Sequence, residues 1–220
     1  PIEKVEVTIP GFHNTPERYS RLITAIKNDP CDRVKEVQRE IDFITSRESI
    51  TGVLLDHLAA GRLIERVTHN DTKLNNVMID EQTDEAVCVI DLDTVMPGLA
   101  LYDFGDLIRG ATSPVAEDEP DASKVKMRLP MFEAIVEGYL ETAANFLTPL
   151  EIDLLPFSAK LISLETGIRF LTDHLEGDKY FRVHRDNHNL DRCRTQLALV
   201  KSIEDQEGEM LTFVKKWHRS

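Results

Sequence analysis

The residues best suited to chemistry lie in one polar octet, His69–Asn76. Asp71 can accept the proton of an attacking hydroxyl, and Lys73 can neutralise the charge of a phosphoryl group during its transfer. Asn76 can reach a divalent cation, and His69 can support the loop from below. These residue types at this spacing predict phosphoryl transfer, with Asp71 and Lys73 as the catalytic residues.

The spacing within the octet resembles the H-R-D-x-K-x-x-N pattern of protein-kinase catalytic loops. Such a loop needs a metal-binding Asp on the following hairpin, and Asp91 and Asp103 are the candidates. Asp91 ends the second predicted strand, so the turn returns it beside Asn76, whereas Asp103 lies beyond a Pro-Gly pair. The spacing favours Asn76 and Asp91 as metal ligands, with Asp93 as a candidate for a second metal or for support. The letters Asp-Phe-Gly that begin at Asp103 are then not a metal motif.

Helices are predicted on both sides of this polar centre. Apolar residues recur at helical spacing from Thr15, a predicted helix cap, to about residue 60, and again after Pro130. A capping box begins at Thr148. Two β-type runs, Asn76–Ile79 and Ala86–Ile90, flank a polar turn and predict a hairpin, the only β-structure that the sequence indicates. We therefore predict an α+β, mainly helical fold in which a small hairpin carries the metal site.

Composition excludes several classes of function. The 26 Lys+Arg against 39 Asp+Glu give a net charge of −13, which argues against a nucleic-acid or anionic-membrane surface. No apolar run is long enough to span a bilayer. The three cysteines are widely spaced and form no metal or disulfide pattern, which predicts a reducing, cytoplasmic location.

Three longer stretches carry a specific family resemblance: THNDTKLNN, CVIDLDTVMPG and LYDFGDLIR. Together they resemble the aminoglycoside phosphotransferase/choline kinase superfamily, and within it the N-acetylhexosamine 1-kinases. Those enzymes phosphorylate the anomeric hydroxyl of GlcNAc or GalNAc with ATP and Mg²⁺. The resemblance therefore implies ATP and magnesium (Mg2+) as cofactors and a small sugar as the acceptor.

The resemblance also implies a role for particular residues. Asp71 would be the base, and Asn76 and Asp91 would be the magnesium ligands. Asp103 would be a structural support of the catalytic loop. A sugar site would be lined by three further residues: Arg169, Tyr180 and Trp217.

The chain differs from the family in the region that binds the nucleotide. Kinases of this fold cover ATP with an N-terminal β-lobe that carries a glycine-rich loop and a Lys–Glu pair. The residues before His69 read as helical and contain no such loop. We therefore expect residues 1–220 to form a single domain, the C-terminal lobe of a kinase-like fold without its nucleotide-covering lobe, and to be inactive alone.

Other functions remain open at this stage. The acceptor could be choline or an aminoglycoside, although a cationic acceptor would favour carboxylates over Arg169 in its pocket. The chain could instead be a binding lobe without catalysis. A third alternative is a phosphatase in which Asp91 and Asp93 form a D-x-D pair. That fold needs strands and helices alternating after the motif, which the sequence does not indicate.

Some residues also have simpler explanations. Glu165 and Asp173 lie four residues either side of Arg169 on a predicted helix, and ion pairs with them would account for it. The acidic run 117–121 is predicted to be a solvated loop. Three histidines are predicted to lie at the surface: His174, His184 and His188.

Overall fold

Helices make up most of the chain in the computed structural model, which describes Ile2 and residues 5–219. The α-helices are α1 (Thr15–Asn28), α2 (Gln38–Thr45), α3 (Val53–Ala59), α4 (Ala100–Ala111), α5 (Leu129–Ala143), α6 (Pro149–Asp153), α7 (Leu155–Glu176) and α8 (His188–Val214). The strands are β1 (Arg66–Thr68), β2 (Val77–Ile79), β3 (Ala86–Val89) and β4 (Met96–Gly98). This is the mainly helical α+β architecture that the sequence predicted.

The four strands form two antiparallel pairs. The predicted hairpin is present as β2 and β3, with Val77 opposite Val89. A second pair, β1 and β4, places Thr68 opposite Met96 and was not predicted, so the expectation of a single hairpin was wrong. Its strands are three residues long and one contains Pro-Gly, which gives no β-type pattern.

The β1–β4 pair fixes where the polar octet begins. A Cβ at Gly98 would lie 2.4 Å from the hydroxyl oxygen of Thr68 and 2.9 Å from the side-chain oxygen of Asn70. Only glycine allows this close approach. The absence of a side chain at Gly98 therefore lets the start of the octet lie directly against β4.

Helix α7 is the centre of the packing and contacts α8, α4 and α1. Most of its apolar residues are buried, and they divide between two hydrophobic clusters. One cluster joins α7 to α4 and α5 and includes the fully buried Phe104 and Phe132. The other joins α7 to α1, α2 and α8. The helices of both clusters are thereby packed against one long helix.

The ends of the helices follow the sequence closely but not in every detail. The capping box at Thr148 and Glu151 is present. Helix α1 is capped by Asn14, whose side chain accepts the N–H of Glu17, and not by Thr15 as predicted. The hydroxyl of Thr15 donates to the buried carboxylate of Glu165 instead.

Two surface predictions were wrong. His174 and His188 are buried, and only His184 is exposed. His188 Nε2 lies 3.0 Å from a carboxylate oxygen of Asp118, which ties the acidic run to the start of α8. The run is therefore a fixed loop and not merely a solvated one.

The helices were compared with the requirements of a membrane span. Within the described residues, none of them combines the length and the apolar character that a membrane crossing needs.

Candidate active site

Asp103 holds the polar octet from beneath. It lies in the first turn of α4, where its carboxylate accepts the backbone N–H groups of His69 (2.9 Å) and Asn70 (2.6 Å). The hydroxyl of Thr72 donates to the Asp103 carbonyl. Burial raises the pKa of Asp103, and the two N–H bonds only partly oppose this. The Asp-Phe-Gly letters therefore belong to a helix that supports the loop.

Two non-glycine residues of the site have left-handed backbone conformations. Asn70, just before Asp71, has φ +65°, and Asp91 has φ +62°. Such values are uncommon outside glycine, although Asn and Asp tolerate them best. Both residues lie at turns of the chain: Asn70 directly precedes Asp71, and Asp91 directly precedes the 3₁₀ turn that contains Asp93.

The Asp71 carboxylate is the centre of a small polar cluster. Its Oδ2 accepts a hydrogen bond from Lys73 Nζ (2.6 Å) and one from Asn76 Nδ2 (3.0 Å). Asn76 is buried, and its Nδ2 also donates to the Asp71 carbonyl. Among the described residues no hydrogen bond reaches Asp71 Oδ1, so that oxygen is available to a ligand.

The hairpin brings Asp91 to the same cluster. The Ile90 N–H donates to the Asn76 carbonyl (2.9 Å), which sets the return of β3. Asp91 Oδ2 then lies 4.0 Å from Lys73 Nζ. Asp93 is exposed in the 3₁₀ turn that follows. The structure thus brings Asp71, Lys73, Asn76 and Asp91 together.

His69 connects the loop to the hairpin. Its Nδ1 accepts the Asp71 N–H (3.3 Å), so the proton is assigned to Nε2, which lies 3.0 Å from the Ile90 carbonyl oxygen. The ring therefore spans from the backbone of Asp71 to the residue that precedes Asp91.

A cavity of about 530 Å³ opens beside this cluster. Asp71, Lys73, Arg169 and Tyr180 are among the residues that line it. Trp217 lies elsewhere: it is partly buried against the cluster that joins α4, α5 and α7, and it is not among the residues that line this cavity.

Arg169 is held by aromatic rings and not by carboxylates. Its guanidinium carbon lies 5.5 Å from the ring centre of Phe12 and 5.4 Å from that of Phe181. Glu165 is engaged by His13 and Thr15, and Asp173 accepts the N–H groups of residues 179–181. Within the described chain Arg169 makes no ion pair, so the helical ion pairs considered above do not form.

Cation ligands in this region are few. No group of three or more His, Cys, Asp or Glu side chains in residues 5–219 is arranged to hold a metal ion. Asn76 and Asp91 offer one amide oxygen and one exposed carboxylate, because the Asn76 Nδ2 is already engaged by Asp71. Oxygen donors of this kind suit Mg²⁺, which completes its shell with water and substrate phosphates.

Sequence reasoning missed His13, and the pair of Glu165 with Arg169 that it offered as a simpler explanation does not form. His13 Nδ1 lies 2.9 Å from Glu165 Oε1, and His13 Nε2 lies 3.3 Å from the Asn70 carbonyl oxygen. No local pattern reveals a contact between residues so far apart in the chain. The only signal was the run of polar and aromatic residues before α1.

Comparison with known families agrees with this geometry. Residues 12–135, more than half of the chain, match the family model described as "Phosphotransferase enzyme family" (APH). The matched range contains the octet, the hairpin and Asp103, while Arg169, Tyr180 and Trp217 lie outside it. The match confirms the superfamily predicted from the sequence. The chain belongs to the phosphotransferase enzyme family.

Proposed function

We propose that this chain is the catalytic lobe of an ATP- and Mg²⁺-dependent kinase that phosphorylates the anomeric hydroxyl of an N-acetylhexosamine. The observation that carries the proposal is the Asp71 carboxylate at the cavity wall, with Lys73 and Asn76 on one oxygen and the other oxygen open. A base for the acceptor and a cation for the transferred group are what phosphoryl transfer requires.

Asp71 acts on the acceptor in this proposal. Its Oδ1 accepts the proton of the sugar hydroxyl as the new P–O bond forms and the bond between the γ-phosphorus and the bridging oxygen breaks, so that ADP leaves. The anomeric hydroxyl is more acidic than the other sugar hydroxyls, so a carboxylate is a sufficient base. Lys73 lies between Asp71 and Asp91, where its ammonium group can stabilise negative charge on the phosphoryl oxygens.

Asn76 and Asp91 are the proposed magnesium ligands, and Asp93 is a candidate for support. When bound, Mg²⁺ neutralises the charge of the nucleotide phosphates. The donor set fits this role because it supplies oxygens only and leaves coordination positions for phosphate and water. His69 supports the arrangement by joining the Asp71 backbone to the residue before Asp91.

The charge of the cavity favours a neutral sugar over a cationic acceptor. Arg169, Arg182 and Arg192 line it without a carboxylate partner in the described part of the chain. The carboxylates in the same lining, those of Asp71, Asp106 and Glu117, are already paired with Lys73 or Arg109. An ammonium group would be repelled by these guanidinium groups. Arg169 can donate hydrogen bonds to an acetamide carbonyl, and the exposed ring of Tyr180 can cover a sugar face.

The apolar hairpin suits a covering lobe. Several of its large side chains are exposed on both faces, and Val87 is 64% exposed and Val89 52% exposed. A two-stranded hairpin with exposed apolar faces is marginally stable alone. We propose that a nucleotide-covering lobe packs on it and that the 220-residue chain without this lobe has negligible turnover.

Replacing Arg169 tests the acceptor assignment. In the kinase that carries both lobes, Arg169→Ala is expected to raise the KM for N-acetylglucosamine at least about tenfold and to leave the KM for ATP nearly unchanged, because a charged hydrogen bond contributes about 1.5–3 kcal/mol. The melting temperature should fall only slightly, since no ion pair is lost and each of the two contacts with aromatic rings contributes about 0.5–1 kcal/mol. Steady-state kinetics and thermal unfolding measure these quantities.

Arg39→Ala is the matched control, because Arg39 is an exposed arginine on α2 away from the cavity. An unchanged sugar KM in Arg169→Ala, or efficient phosphorylation of choline in place of the sugar, would contradict the acceptor assignment.

A further inference from the structure

We propose that His13 is a positioning residue for phosphoryl transfer: it holds the peptide bond between Asn70 and Asp71 in the orientation that aims the Asp71 carboxylate into the cavity. This inference rests on the proposed role of Asp71 as the base. It concerns a residue far from the octet in sequence, in the segment that precedes α1.

His13 is enclosed and has a partner on each ring nitrogen. Its side chain is 8% exposed. Nδ1 lies 2.9 Å from Glu165 Oε1, and Nε2 lies 3.3 Å from the Asn70 carbonyl oxygen. A carboxylate and a carbonyl both accept hydrogen bonds, and either ring nitrogen of a histidine can carry the donated proton. His13 is therefore fixed between α7 and the catalytic loop.

Glu165 supplies the opposite charge. Its side chain is 1% exposed, and its second oxygen accepts the hydroxyl of Thr15. Burial alone would raise the pKa of Glu165, but the charge and hydrogen bond of His13 hold it below its usual value. The contact of this buried carboxylate with Nδ1 keeps the His13 ring in place.

The two ends of one peptide bond are held by two different histidines. The Asn70 carbonyl faces His13, while the Asp71 N–H of the same peptide donates to His69 Nδ1 (3.3 Å). Rotation of this peptide would break both contacts and would swing the Asp71 carboxylate. Asn70 also has φ +65°, a conformation that needs support from its surroundings.

The ring itself is held by aromatic neighbours. Tyr102 lies with its ring centre 4.7 Å from that of His13, and Phe12 meets it edge-on at 4.8 Å. Phe12 also contacts the Arg169 guanidinium, and Arg169 lies one helical turn after Glu165 on α7. The same segment thus contacts Arg169 in the cavity lining and the peptide that precedes Asp71, which makes His13 suited to set their relative position.

The inference is tested first by amide hydrogen exchange, which needs no activity. In the 220-residue chain, His13→Ala is expected to lose the exchange protection of the Asp71 amide. Protection in the α7 amides should remain. His174→Ala is the control, because His174 is a buried histidine without contact to the octet; it should retain the Asp71 protection even if its melting temperature falls.

Kinetics give the second readout. In the two-lobed kinase, His13→Ala is expected to lower kcat by roughly 10²-fold with the KM values for ATP and sugar nearly unchanged, since a displaced base costs turnover and not binding. Imidazole added to the buffer should restore part of the activity. His174→Ala should keep the wild-type kcat.

A double variant covers the case in which His13→Ala does not fold. His13→Phe with Glu165→Gln keeps the aromatic packing and removes the buried charge, but it cannot donate to Asn70. The double variant is expected to lose the exchange protection of the Asp71 amide and to show the same fold-decrease in kcat as His13→Ala. Unchanged Asp71 exchange and unchanged kcat in a folded variant would overturn the inference. If the wild-type kinase had no activity, the proposed function would fail while the exchange experiment would still decide the role of His13.

Discussion

Asp71→Asn should lower the turnover of the two-lobed kinase by about 10²–10⁴-fold, the usual contribution of a general base. The amide is nearly the same size as the carboxylate, and Lys73 and Asn76 can still donate to its oxygen. The melting temperature and the KM for the sugar should therefore stay close to their wild-type values. Initial rates and thermal unfolding of the purified variant measure both effects.

Glu81→Gln is the matched control for this change. It replaces an exposed carboxylate by an amide in the hairpin turn, on the same supersecondary unit but away from the cavity. It should retain wild-type turnover. A loss of activity in Asp71→Asn that merely followed a loss of folded protein would contradict the assignment of Asp71 as the base.

Asp103→Ala should lower the free energy of unfolding of the chain, and by the same amount with and without magnesium. The change removes the acceptor of two backbone N–H groups, those of His69 and Asn70. An unsatisfied buried donor costs about 1–3 kcal/mol, so the loss of both bonds should lower the free energy of unfolding by about 2–6 kcal/mol. Relief from burying a carboxylate whose pKa is raised offsets part of this loss. Denaturant unfolding of the 220-residue chain with and without Mg²⁺ measures this change in the free energy of unfolding.

The opposite assignment of Asp103 predicts a different result. If Asp103 were the metal ligand that its Asp-Phe-Gly letters suggest, its removal would leave the metal-free chain as stable as wild type and would abolish any stabilisation by Mg²⁺. Asp186→Ala removes an exposed carboxylate before α8 and should change neither quantity.

Local spacing made the octet and the hairpin predictable. His69, Asp71, Lys73 and Asn76 lie within eight consecutive positions, and the turn that returns Asp91 is short, so the sequence itself brings them together. The same reasoning separated Asp91 from Asp103. The structure has the four side chains in one cluster and Asp103 beneath it.

Contacts between distant segments could not be predicted in this way. The i, i+4 spacing suggested that Arg169 pairs with Glu165, but tertiary partners from the segment before α1 take that carboxylate. The β1–β4 pair joins two three-residue strands, too short to have a recognisable period. His188 reads as a polar surface residue, yet the return of the acidic loop through Asp118 buries it.

The nature of the product tests the central claim most directly. The two-lobed kinase would be incubated with ATP, Mg²⁺ and N-acetylglucosamine, and the phosphorus-containing products identified by ³¹P NMR. We expect one new phosphate monoester coupled to the anomeric proton, formed together with ADP and absent in Asp71→Asn. Release of inorganic phosphate without any sugar ester, as a phosphatase with an Asp91/Asp93 pair would give, would contradict the account.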